Sequence, residues 1–193
     1  ENIGGILGYA NNGVQKITNI TTNLSINAAN TKVGGVVGYV ENSTFECSQF
    51  TVNTNQFAIN GNSYIGAIAG KIYNSGFSIS DVSINHIMPE QDKDVLVIYA
   101  TNQFVGGIIG CAEQCKESSL SNVLVRTSVG SSGTGSDSDT GKYVGGLIGY
   151  CNTSNKIDIC DTKISGQVKG YEYVGGFIGE FTGADTNSAT ITF

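Results

Sequence analysis

The side chains able to do chemistry in this 193-residue chain fall into four sets, the first of them acidic. Glu90, Asp92 and Asp94 share one polar stretch, Asp137 and Asp139 another, and Asp158 and Asp161 flank Ile159 and Cys160. Paired carboxylates are the working groups of glycosidases, but the sequence places no basic or aromatic cleft beside any of these. Asp137-x-Asp139-x-Gly141 has the opening of a calcium loop, yet Ile148 stands where the closing Glu belongs. His86 is the only histidine, and no phosphate-cradling G-x-x-x-x-G-K-[ST] occurs, so nucleophilic relays and nucleotide chemistry have almost nothing to work with. The expectation is a chain that is not an enzyme, with no catalytic residue, cofactor or metal.

The second set is five cysteines. Cys47 alternates with inward residues and reads as a buried thiol. Cys111, Cys115, Cys151 and Cys160 are disulfide candidates with three pairings, of which Cys111–Cys115 with Cys151–Cys160 is favoured, and their spacings make no convincing four-ligand zinc pattern. The third set is four glycosylation sequons, at Asn19, Asn23, Asn42 and Asn152. With the cysteines they point to an oxidising, secretory history, although Asn-rich turns also generate such triplets by chance. A recurring Asn12, Asn42, Asn74 and Asn152 reads equally as a polar ladder satisfying backbone groups at a corner. The fourth set is aromatic: Tyr64, Phe104, Tyr143 and Tyr173 recur at one spacing, and Tyr9, Tyr39 and Tyr150 at another. Such a row could stack on sugar rings, or it could stiffen the protein as a structural ladder.

What positions these groups is a repeat. The block hydrophobic-Gly-Gly-hydrophobic-hydrophobic-Gly begins at Ile3, Val33, Ile65, Val105, Val144 and Val174, with Ala67 replacing the second glycine once. The first glycines, Gly4, Gly34, Gly66, Gly106, Gly145 and Gly175, stand 30, 32, 40, 39 and 30 residues apart, a period typical of solenoids and propellers. After each block comes an alternation interrupted by one extra residue, as in Phe45-x-Cys47-x-x-Phe50-x-Val52 and Phe77-x-Ile79-x-x-Val82-x-Ile84, which predicts a bent strand. One such unit has too little apolar surface to fold alone, but units stacked at about 4.8 Å would share a continuous core. The expectation is therefore an all-β parallel β-solenoid of about six rungs, a single domain over residues 1–193. Its surface insertions lie near 88–99, where an extra strand could sit, and near 130–141. The glycines are expected where a corner needs positive φ or where backbones approach closely.

The glycine block resembles the GLUG-type repeats of secreted and cell-surface proteins, including non-catalytic regions of streptococcal IgA1 peptidases. That resemblance covers essentially the whole chain and implies a surface-exposed repeat region. The metalloprotease accompanying such repeats in some relatives needs a His-Glu-x-x-His helix, which a chain with one histidine lacks.

A net charge of −6 with ten Lys and Arg argues against a nucleic-acid partner. No apolar run is long enough to span a membrane, and no signal-peptide pattern opens the chain. Starting and stopping within repeats, it reads as a processed chain or part of a longer array. The expected role is an extracellular or cell-surface scaffold, associating end to end or with neighbouring repeats, with glycans as candidate partners. The alternative is a carbohydrate-active enzyme or glycan-binding module on a β-helix.

Overall fold

The computed structural model describes residues 1–29, 31–86, 96–132, 140–183 and 190–192. The described residues form an all-β, β-helix-like arrangement of parallel strands with no helix. They make three sheets; each of the first five repeats contributes to all three in turn, and the described residues of the sixth contribute to the first two. The first sheet takes the start of every glycine block, in the order Ile3–Gly4, Thr31–Gly34, Ser63–Gly66, Val105–Gly106, Lys142–Gly145 and Glu172–Gly175. The second holds the long strands Leu7–Thr21 and Val37–Val52 and, in later repeats, pairs of shorter ones such as Ile109–Cys115 followed by Ser118–Arg126. The third runs through Ser25–Asn27, Ala58–Gly61, Ile98–Ala100, Val129–Ser131 and Val168–Lys169.

Register puts like over like. Ile17, Cys47, Ile79, Leu120 and Ile159 form one column, and Ile20, Phe50, Val82 and Val123 another. In the middle repeats these side chains are almost wholly buried, each worth about 1.5–3 kcal/mol for a large aliphatic or aromatic group. The interrupted alternation is accounted for. Asn19, Gln49, Asp81, Asn122 and Asp161, the extra residues, all have positive φ near 50–58°, so each turns the strand and returns the next side chain to the interior. Asn and Asp tolerate this left-handed conformation better than most residues. Two further corners follow the same rule, one at Asn12, Asn42, Asn74 and Gln114, the other at Lys32, Tyr64, Phe104, Tyr143 and Tyr173.

Positive φ is not the reason for the block glycines, since none of them has it; close approach is. A Cβ on Gly34, Gly66, Gly106, Gly145 or Gly175 would lie under 3.0 Å from the carbonyl oxygen three residues on. On Gly35, Gly107 or Gly146 it would lie as close to a carbonyl oxygen of the adjoining repeat. Gly5, Gly35, Gly107 and Gly146 each donate N–H to the first glycine of that repeat at 3.2 Å. Ala67 makes no such bond among the described contacts, as expected if its methyl holds the backbones apart.

Two segments read as insertions are partly regular. Ile98–Ala100 is no extra strand: it pairs in register with both Ala58–Gly61 and Val129–Ser131. The glycine- and serine-rich segment begins as strand too, through Gly130 and Ser131. Residues 87–95 and 133–139, which include Glu90, Asp92, Asp94, Asp137 and Asp139, lie outside the described residues.

Candidate functional site

The most organised surface feature is aromatic. Tyr64, Phe104, Tyr143 and Tyr173 stand on the third positive-φ corner, and their rings stack almost parallel, with centroids 4.7, 4.7 and 5.0 Å apart and interplanar angles of 8°, 4° and 5°. Left-handed backbone costs an L-residue roughly 1–2 kcal/mol, and a stacked pair returns about 0.5–1.5 kcal/mol beyond area burial. Aromatic residues hold this corner because they stack, against their backbone preference. The second aromatic series meets the first: Tyr150 sets its edge to Tyr143 at 5.4 Å and to Phe104 at 5.7 Å. Tyr9 and Tyr39 stack on each other at 5.4 Å, and Tyr9 donates its hydroxyl to Glu41 at 2.6 Å. Burial, reinforced by the Glu41 carboxylate, pushes Tyr39 up to about 12.

Lys71 enters this surface, pairing with Glu113 at 2.6 Å and lying over the rings of Tyr64 and Tyr73. Burial works against its charge, but the hydrogen bond and charge of Glu113 outweigh that and hold its pKa above the ordinary lysine value. Stacking has a chemical consequence. The faces of Phe104 and Tyr143 are occupied by neighbouring rings, so a sugar could reach only their edges.

The asparagine ladder is shorter than the sequence suggests. Asn74 donates to Asn42 Oδ1 at 2.7 Å, and Asn42 donates to Asn11 Oδ1 at 3.5 Å. Asn152 is not on this corner. Gln114 takes the place and Asn152 lies opposite Glu113, because the fourth repeat carries a bulge between Glu113 and Cys115. Of the sequon asparagines, Asn19, Asn23 and Asn42 are exposed, and half-buried Asn152 donates its Nδ2 to Thr182 at 2.9 Å.

All five cysteines are free thiols, so neither Cys111–Cys115 nor Cys151–Cys160 is bonded. Cys111 and Cys115 lie along one strand, and at about 3.3 Å per residue their Cα atoms are held well beyond the ~7 Å a disulfide spans. Cys151 is fully buried while Cys160 is exposed. Cys115 instead occupies a column of corner hydroxyls. Ser43 and Ser75 donate to the carbonyls of Glu41 and Tyr73, and the Cys115 thiol lies 3.9 Å from the Glu113 carbonyl in the same way. Cys47 is buried. Burial pushes Cys47, Cys111 and Cys151 up to about 12, and Cys115 well above the ordinary thiol value.

Asp158 is paired with Lys156 at 2.8 Å, and Asp161 occupies its corner. His86 is buried. Among the described residues no group of three His, Cys, Asp or Glu could hold a metal ion, and no helix is long and apolar enough to cross a membrane.

No family model, curated protein or solved structure matches the chain.

The residues that sequence reasoning passed over lie on the third sheet, where Asn27, Asn60, Asn62, Tyr99 and Thr101 line a shallow hollow. The signal available was the recurrence of Ile26-Asn27 and Ile59-Asn60 ahead of the glycine blocks.

Proposed function

We propose that the chain is a parallel β-solenoid of about six rungs whose role is mechanical: an extracellular scaffold segment, of the GLUG-repeat kind, in a surface protein or fibril. The observation carrying this reading is the in-register pairing of each glycine block with the next, from Ile3–Gly4 through to Glu172–Gly175. Every described element is spent on joining one repeat to its neighbour, through shared columns, the aromatic ladder and cross-repeat ion pairs such as Lys16–Glu46 and Lys142–Glu172. On this reading the chain is not an enzyme, and glycans at the exposed sequons decorate the rod.

End-to-end association belongs to the same proposal. Among the described residues the large exposed apolar side chains are Ile6, Tyr9 and Val14 in the first repeat and Tyr171, Tyr173 and Val174 in the last. Both outer repeats present unpaired strand edges, which invite a further repeat, either of a second copy or of a longer chain. Such a heterologous contact does not close and gives an open fibre. Sedimentation velocity over a concentration series tests it: the chain should grow into elongated oligomers, and Ile6→Lys with Val174→Lys, both at positions that are buried in the middle repeats, should abolish the growth. A compact monomer at every concentration would remove the fibril reading.

A further inference from the structure

The third sheet carries a hollow that neither ladder uses. Asn27, Asn60 and Tyr99 follow one another in register along it. Asn62 and Thr101 stand beside them, with Thr101 Oγ1 donating to Asn62 Oδ1 at 3.4 Å. With Gly61 they border about 320 Å³, the lower end of the range for small-ligand sites. The Tyr99 hydroxyl is held by Ser132 Oγ, which fixes the ring.

The lining chemistry is selective. Among the described residues it offers three carboxamides, the hydroxyls of Thr101 and Tyr99, one aromatic ring and the small Ala28 and Ala29, with no charged group. A phosphate, a carboxylate or a metal ion would find no counter-charge, and a wholly apolar guest would leave the amides unpaired. The Asn60 carboxamide oxygen is buried with no hydrogen-bond donor among the described residues, an arrangement native proteins seldom keep. We propose that this hollow binds a neutral sugar ring. Its hydroxyls donate to and accept from the Asn27, Asn60 and Asn62 carboxamides, and its C–H face lies against Tyr99. The stacked ladder, whose inner ring faces are occupied, is not the glycan site. The inference does not depend on end-to-end assembly, so either can fail while the other stands.

The test is a ¹⁵N-NMR titration of the whole chain with glucose, galactose, mannose and N-acetylglucosamine, a neutral oligosaccharide, and glucuronate as the charged control. At least one neutral sugar should shift the amides of Asn60, Asn62, Tyr99 and Thr101 with millimolar affinity, as expected for a ligand of this size. Asn60→Ala and Tyr99→Ala should each weaken it about tenfold. Thr101→Val, which keeps the shape, should weaken it several-fold, and Tyr173→Ala at the end of the ladder should leave it unchanged. Tighter binding of the oligosaccharide than of its monomer would identify a glycan chain as the ligand, and equal binding a free sugar. The absence of shifts at the hollow with every neutral sugar overturns the proposal. So does binding that Tyr173→Ala removes and that Thr101→Val and Asn60→Ala, both still folded, leave intact.

Discussion

A methyl group added at Gly107 should push two repeats apart, and the same methyl at Gly176 should go unnoticed. Both are second glycines of their blocks. At Gly107 the new Cβ would fall under 3.0 Å from the Gly146 carbonyl oxygen, backbone against backbone, and would touch Val125 Cγ1 at 3.0 Å. At Gly176 it would meet nothing within 4 Å among the described residues. Relief at Gly107 requires the strands to separate, so the 3.2 Å bond from its N–H to the Gly145 carbonyl is lost, as at Ala67. Overpacking of this kind costs typically 1–3 kcal/mol and the bond a further ~1 kcal/mol. The total of about 2–4 kcal/mol corresponds to a fall in Tm of roughly 5–15 °C for a chain of this size. Gly176→Ala should stay within about 0.5 kcal/mol, or gain slightly through the less flexible unfolded chain. Thermal and urea denaturation of the two variants beside the parent, at a concentration below that of end-to-end association, would measure this. Equal effects at both sites would refute the reasoning, because only the presence of a repeat beyond Gly107 distinguishes them.

Three other outcomes follow from the same geometry. In the native state a thiol reagent should modify Cys160 alone, and all five cysteines should react in denaturant; the paired arrangement expected from sequence would expose a single thiol in denaturant. Phe104→Ala removes a half-buried ring stacked on both sides and should cost about 1–3 kcal/mol, whereas Tyr173→Ala, stacked on one side, should cost clearly less in the same denaturation assay. Burial lowers the pKa of His86, with a backbone hydrogen bond to Phe57 opposing it weakly. The unfolded chain therefore takes up a proton below about pH 6.5 that the folded chain refuses, and stability present above that pH is lost as the pH falls. His86→Phe should flatten this part of the urea-midpoint profile.

The repeat was legible because six glycine blocks recur, and the bends because one extra residue interrupts the alternation at Gln49 and Asp81. What escaped sequence reasoning depended on single-residue register. Gln114 is one bulge residue, and it alone moves Asn152 off the asparagine corner. Cys115 looked like half of a disulfide because spacing cannot tell a thiol in a corner-hydroxyl column from a thiol with a partner. Ile98–Ala100 looked like an addition because the long spacing before Gly106 hid a regular third strand. The hollow was invisible for a related reason: Asn27, Asn60 and Tyr99 are neighbours only once that strand is in register.

Vertical register can be measured with one native and one introduced thiol. Thr18, Ser48, Ser80, Ser121 and Cys160 form one outward column, so spin labels on Thr18→Cys and on Cys160 are four strand spacings apart, about 19 Å before the label arms are added. Pulsed electron–electron resonance should return a narrow distribution close to that separation. A broad distribution, or one centred far beyond it, would contradict the stacking of repeat on repeat.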